Sequence, residues 1–160
     1  MLSILDSIYC GIKRDEIRKL GKTIQRLSVN SFYEILTKDC WEFGIQYETL
    51  VKNNEVLEIK LWGVKRRNII KFHRCAIVSV EELDKFVNTL ERHEVNRGIY
   101  VTTGSFELNI IRKQKKAIPS KVKVKLEDGF SFYRKQAGWL GNAVEALKIQ
   151  NLKLYRYLPE

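Results

Sequence analysis

Glu58-Ile59-Lys60 is the spacing in this sequence that could carry the most chemistry. In an extended strand Glu58 and Lys60 share one face, while Leu57 and Ile59 share the other. A carboxylate beside an ammonium has a specific use. The carboxylate ligates Mg2+, and the lysine orients or deprotonates a water and steadies phosphorane-like charge. The same spacing also makes an ordinary ion pair of small worth, so it does not identify a catalyst by itself. Other chemistry is poorly represented. His73 and His93 are the only histidines, and neither has a Cys or Asp at metal-ligand spacing. His93 falls near the end of an expected helix, where it complements the dipole. The sequence contains no GxxxxGK[ST], GxGxxG or GxSxG. Cys10, Cys40 and Cys75 lie far apart with no CxxC. That argues against a zinc knuckle or a disulfide framework, and the expected setting is an intracellular, reducing one rather than secretion.

Charge is the second signal. The 160 residues hold 29 Lys and Arg against 19 Asp and Glu, a net charge of +10. Such an excess costs self-repulsion, and a polyanionic partner is the usual reason for it. The cations are also clustered. Ile59–Val80 contains no acid but has Lys60, Lys65, Arg66, Arg67, Lys71 and Arg74. Leu108–Leu126 is again free of acids and carries Arg112, Lys113, Lys115, Lys116, Lys121, Lys123 and Lys125. Two basic stretches separated by the acidic Glu81–Glu94 are expected to form two walls of a phosphate-tracking groove. Lys65, Arg66, Arg67, Lys71 and Arg74 belong to the first wall, and Lys113, Lys115 and Lys116 to the second. With 44% hydrophobic and 30% charged residues, the chain is a folded globular type rather than a disordered or collagenous one. No apolar run approaches the roughly 18 residues of a membrane span, and no basic amphipathic helix points to a membrane surface.

The elements that must position these residues follow from hydrophobic periodicity. Arg14–Leu27 reads as a helix, with Ile17, Leu20, Ile24 and Leu27 on one side. Ser31–Phe43 reads as a second helix or the continuation of the first, ended by Gly44. Ile45–Val51 and Glu55–Leu61 flank the polar Lys52-Asn53-Asn54 and predict a β-hairpin. Ile69–Ile70 and Ala76–Val80 are strand-like. Ser79 with Glu82 three residues on is a capping box, so Val80–Arg92 should be a helix with Leu83, Phe86, Val87 and Leu90 inward. Ile99–Thr103 predicts a buried strand and Phe106–Lys116 a helix that Pro119 stops. Lys121–Leu126 alternates Lys and Val and predicts a half-exposed edge strand. Phe130–Gln136 and Trp139–Ile149 read as short helices, and Leu152–Tyr157 as a last strand. Met1–Gly11 has neither the composition of a transit peptide nor that of a secretory signal. The result is one α/β domain, helices packed on a central sheet.

Three stretches carry a resemblance: Glu58-Ile59-Lys60-Leu61-Trp62, then Ser79–Phe86, then Arg97-Gly98-Ile99-Tyr100-Val101-Thr102-Thr103-Gly104-Ser105-Phe106. Together they resemble the catalytic domain of the Mrr-type restriction endonucleases, in the PD-(D/E)xK nuclease superfamily. The resemblance runs from about Gly44 to Asp128. It implies a restriction-endonuclease-like αβββαβ core, a central mixed sheet flanked by helices, over about residues 14–128, with an extension over 129–160. It also implies Mg2+-dependent hydrolysis of DNA phosphodiesters, with Mn2+ as an alternative ion. The family places an aspartate after Gly-Ile on the first hairpin strand, and Gln46 stands there in Gly44-Ile45-Gln46. The expected catalytic set is therefore Glu58, Lys60, Gln46 and Glu48, lying together at one end of the sheet. Glu58 and Glu48 would be the metal ligands. Asp39 and Glu42 are alternative acids, and Gln25 and Glu34 lie nearest the family's first-helix glutamate.

Three functions follow as expectations. The first is a metal-dependent endodeoxyribonuclease. The second is a nuclease-like fold without catalysis that binds nucleic acid, DNA ahead of RNA. The third is a subunit of a larger assembly or a homodimer, with the three Trp and the Lys-Val strand against a protein partner.

Overall fold

The computed structural model describes residues 22, 25–110, 112, 119, 121–137 and 152–160. Most of the expected Arg14–Leu27 helix, the Trp139–Ile149 helix, and Lys113, Lys115 and Lys116 lie outside the described residues. The elements are α1 (Val29–Glu42), β1 (Gln46–Lys52), β2 (Val56–Trp62), β3 (Arg67–His73), β4 (Ile77–Val78), α2 (Val80–Arg92), β5 (Arg97–Thr102), β6 (Ser105–Phe106), β7 (Lys123–Glu127) and α3 (Gly129–Ala137). A 3-10 turn follows at Leu154–Tyr157.

Local chemistry sets the helix ends. Ser28 Oγ accepts from the Ser31 amide and caps α1. At the other end the Gly44 amide donates to Trp41 and the Ile45 amide to Cys40, at 3.3 and 2.8 Å. This Schellman arrangement needs the left-handed φ of +66° that Gly44 supplies. The capping box on α2 forms as the sequence predicts, with Ser79 Oγ accepting from the Glu82 amide at 3.3 Å. Its C-terminus closes in the same way as that of α1, with Glu94 as the left-handed residue at φ 55°.

The main sheet has the order β1-β2-β3-β5-β7. The first three strands form an antiparallel meander. β3, β5 and β7 then run parallel, with α2 carrying the chain from β3 to β5. β4 and β6 make a separate parallel pair. Both faces of the sheet are covered. On one face Leu57, Ile59, Leu61, Ile70, Phe72 and Val101 pack against Phe32, Leu36 and Cys40 of α1. Phe32 stacks on Phe72 at 4.2 Å between ring centroids. On the other face Ile69 and Tyr100 meet Leu83, Phe86 and Leu90 of α2. Coverage on both sides explains why β3 shows no clean alternation of apolar and polar residues.

Phe132, Leu154 and Tyr157, from the expected extension over 129–160, are buried in the first core. Two expectations are corrected. Leu152–Tyr157 ends in a 3-10 turn rather than a strand. Leu154 and Tyr157, three apart, both point inward, a spacing that a 3-10 turn eclipses on one side and a strand cannot. Phe106 pairs with Val78 in the small sheet, so the helix expected from Phe106 starts later, at Leu108.

Phe86 is fully buried, and its ring meets Tyr100 edge-on at 5.3 Å. Phe86→Ala is expected to cost about 3–5 kcal/mol in denaturant unfolding. An unchanged unfolding midpoint would contradict this placement.

Candidate nucleic-acid interface and carboxylate centre

Glu58 and Lys60 do share a face of β2, the face covered by α2. Their surroundings differ. Lys60 is half-buried, and its ammonium lies 4.9 Å from the centre of the Trp62 ring. Glu58 is buried and opposes Lys71 across the β2–β3 ladder. Lys71 is itself only 4% exposed. Its ammonium lies 3.1 Å from Glu58 Oε1 and 3.6 Å from Glu82 Oε2, and 5.1 Å from the Tyr100 ring centre. Two carboxylates, one from a strand and one from the first turn of α2, thus converge on one internal cation.

Other polar groups adjoin this centre. Tyr100 Oη and His73 Nδ1 share a hydrogen bond of 2.8 Å, and Cys75 Sγ lies 3.5 Å from Thr102 Oγ1. Burial pushes the Cys75 thiol up, away from a reactive thiolate. Burial, then the nearby Lys71, holds the His73 imidazole below its ordinary value. Burial alone would raise the Glu82 carboxyl, but the ammonium groups of Lys85 and Lys71 outweigh it and keep Glu82 below the usual range.

Gln46 and Glu48 do not join Glu58. Gln46 pairs with Trp62, four residues along β2 from Glu58, and Glu48 pairs with Lys60. Leu50 is the extra residue of a bulge between Thr49 and Val51. Glu48 stands exposed on β1, on one side of β2, while the Glu58 carboxylate is turned to β3 on the other. As placed, Glu58 and Glu48 do not fit a shared divalent ion, which needs oxygens converging at about 2.1 Å for Mg2+. Among the described residues no three His, Cys, Asp or Glu side chains are grouped to hold a metal.

The expected first basic wall is also divided. Lys71 is in the core. Arg74 follows the far end of β3, where it donates to the Gln25 and Asn54 carbonyls. Only Lys65, Arg66 and Arg67 remain together, in and after the β2–β3 turn. Around them the structure assembles cations that the sequence does not place there. The first residues of the three parallel strands are Arg67, Arg97 and Lys123, all exposed. Arg97 and Lys123 are paired in register. Adjacent strands are about 4.8 Å apart, so these three make a short basic row of strand starts across the sheet end, with Arg67 on the α2 face and Arg97 and Lys123 on the other.

A cavity of about 640 Å3 opens on the α2 side of the row, with Lys65, Lys121 and the apolar Leu90 and Val95 in its walls. A second, of about 350 Å3, opens on the other side, lined by Lys123, Lys125, Arg156 and Asn68. Both share Arg66, Arg67 and Arg97. Glu91 and Glu94 line the first cavity, and Glu160 lies 3.7 Å from Arg66 in the second, so the excess is basic but not unopposed. The edge strand β7 is anchored from beneath. Glu127 is fully buried, accepts from Tyr157 Oη at 2.5 Å, and is paired with Lys125 and Lys135. The one signal for this wall in the sequence is the Lys-Val alternation of 121–126, which puts Lys123 and Lys125 on one face. Arg97 and Arg156 had no signal. No family model and no curated protein matches the chain.

Lys71→Met leaves Glu58 buried without its cation. The expected cost is about 3–5 kcal/mol at neutral pH. The deficit relative to the unaltered protein should shrink as pH falls, because protonation removes the orphaned charge. A deficit that is independent of pH would contradict the ion triad. His73 gives a separate signature. Its pKa is lowered in the fold from 6.5, so the folded state binds fewer protons than the unfolded. Its contribution is complete above 6.5 and is lost as pH falls below that value. Melting temperatures measured from pH 7.5 to 5 should therefore decline, and His73→Gln should flatten the decline.

Proposed function

We propose that this chain binds nucleic acid, DNA ahead of RNA, through the basic end of its sheet. The observation that carries the reading is the row of Arg67, Arg97 and Lys123 at the start of three parallel strands, flanked by Lys65, Arg66 and Lys121. Fixed strand ends present these charges at set spacing, which suits a repeating phosphate backbone. The net charge of +10 agrees with a polyanionic partner.

The element order, an antiparallel meander followed by a helix and a parallel strand, supports a restriction-endonuclease-like core for this module. Within that core the Lys71 ammonium occupies the space between Glu58 and Glu82. An endonuclease reading with Mg2+ or Mn2+ would require Lys71 to release both carboxylates, at the cost of leaving a buried ammonium unpaired. Binding without hydrolysis is therefore the better-supported function.

The test is the salt dependence of binding, read by fluorescence anisotropy. Arg67→Gln, Arg97→Gln and Lys123→Gln should each weaken binding. Each should also reduce the slope of log affinity on log salt, by about 0.9 per lost phosphate contact on duplex DNA or about 0.7 on a single strand. Arg74→Gln, at the other end of β3, should change neither. Affinity that ignores ionic strength, or that survives the triple substitution, would refute the proposal.

A further inference from the structure

Beside the basic row the surface is aromatic. Trp41 is 83% exposed, Phe43 61% and Tyr47 42%. Trp41, Tyr47 and Trp62 line a shallow cavity of about 510 Å3 with Ile45 and Gln46, where β1 starts and β2 ends. Phe43 extends the patch by stacking on Tyr155 at 6.1 Å. These rings adjoin cations. Trp62 is the cross-strand partner of Arg67, the first member of the basic row, and Lys60 lies over its face. Tyr155 is followed by Arg156, a wall of the second basic cavity.

Large aromatic faces left in water are costly unless a partner covers them. The side chains here are rings rather than aliphatics, and they are continuous with the arginines. That combination matches unpaired nucleobases, which offer a π-face to each ring while their phosphates lie on the cations. A duplex keeps its base faces stacked on one another and offers the rings nothing.

We infer that the partner is single-stranded nucleic acid, with bases stacked on Trp41, Tyr47 and Trp62 and the backbone led onto Arg66, Arg67 and Arg97. This rests on the nucleic-acid-binding reading above and specifies the form of the partner.

The experiment compares a labelled oligothymidylate with a duplex of the same length at one salt concentration. It uses the unaltered protein, Trp41→Ala, Trp62→Ala and Arg67→Gln/Arg97→Gln, with melting temperature as the control for folding. The single strand is expected to bind on the order of tenfold tighter than the duplex and to quench tryptophan fluorescence. Trp41→Ala is expected to lose on the order of tenfold in affinity for the single strand, with an unchanged salt slope and unchanged duplex binding. The arginine variant should lose affinity for both forms and lower the slope. Equal affinity for the two forms, or tryptophan variants that bind the single strand normally while the arginine variant does not, would overturn the stacking surface and leave the basic interface standing. Binding of neither form would overturn both. A dimer of the unaltered protein that Trp41→Ala dissociates would assign the rings to a second copy and also overturn the inference.

Discussion

The ammonium of Lys71 is the interaction on which the arrangement of the chain turns. It joins β2 and β3 of the meander to the first turn of α2 through Glu58 and Glu82. With only 4% of the residue exposed, its charge is stabilised by those two carboxylates and by the face of Tyr100. A buried ion pair seldom adds much stability over a well-packed apolar one, and it is severe in what it forbids. Any displacement of α2 along the sheet would leave a bare charge in the core. The triad therefore fixes how the helix sits between β3 and β5, and so where the N-terminal ends of the parallel strands emerge. The same contact engages Glu58, the acid expected to hold a metal, with an internal cation.

A second buried carboxylate plays the matching part on the opposite face. Glu127 binds Tyr157 and the ammonium groups of Lys125 and Lys135, which ties β7 to α3 and to the 3-10 turn. Burial would raise the Glu127 carboxyl, but the hydrogen bonds from Lys135 and Tyr157 hold it below the usual range. An edge strand rich in lysine is thereby held firm enough to display Lys123 beside Arg97. The two ionic clusters differ in purpose from the cations at the sheet end. Those inside are neutralised and position the scaffold; those at the strand starts are exposed and face solvent.

Much of the scaffold was legible in the sequence because local signals wrote it. The hairpin, the capped helix Val80–Arg92 and the buried stripe through Phe86 depend on short-range patterning. The site was less legible because it depends on register and on strand direction. The hairpin turn at 53–55 makes Val51, not Gln46, the partner of Glu58, and Gln46 falls opposite Trp62 at the far end of β2. β3 is seven residues long, which carries Arg67 and Arg74 to opposite ends of the sheet, about 23 Å apart, although they are close neighbours in the sequence. Lys71 lies midway between them and is buried, since the strand is covered on both faces. A run of cations thus reads as one wall in the sequence and becomes a surface cluster, a core residue and a distant end in the fold. Conversely, Arg67, Arg97 and Lys123 come from three separate segments and meet only because the parallel strands start together.

Nucleic acid held at that common starting edge, as proposed, would perturb the amides there. The most direct measurement is an amide chemical-shift titration of the full chain with a short oligonucleotide. Shifts are expected at residues 65–67, 97 and 121–125, and with a single strand also at 41, 47 and 62, with the opposite sheet end around Glu55, Arg74 and Gly104 unmoved. Shifts confined to that opposite end, or none at saturating oligonucleotide, would contradict the proposal.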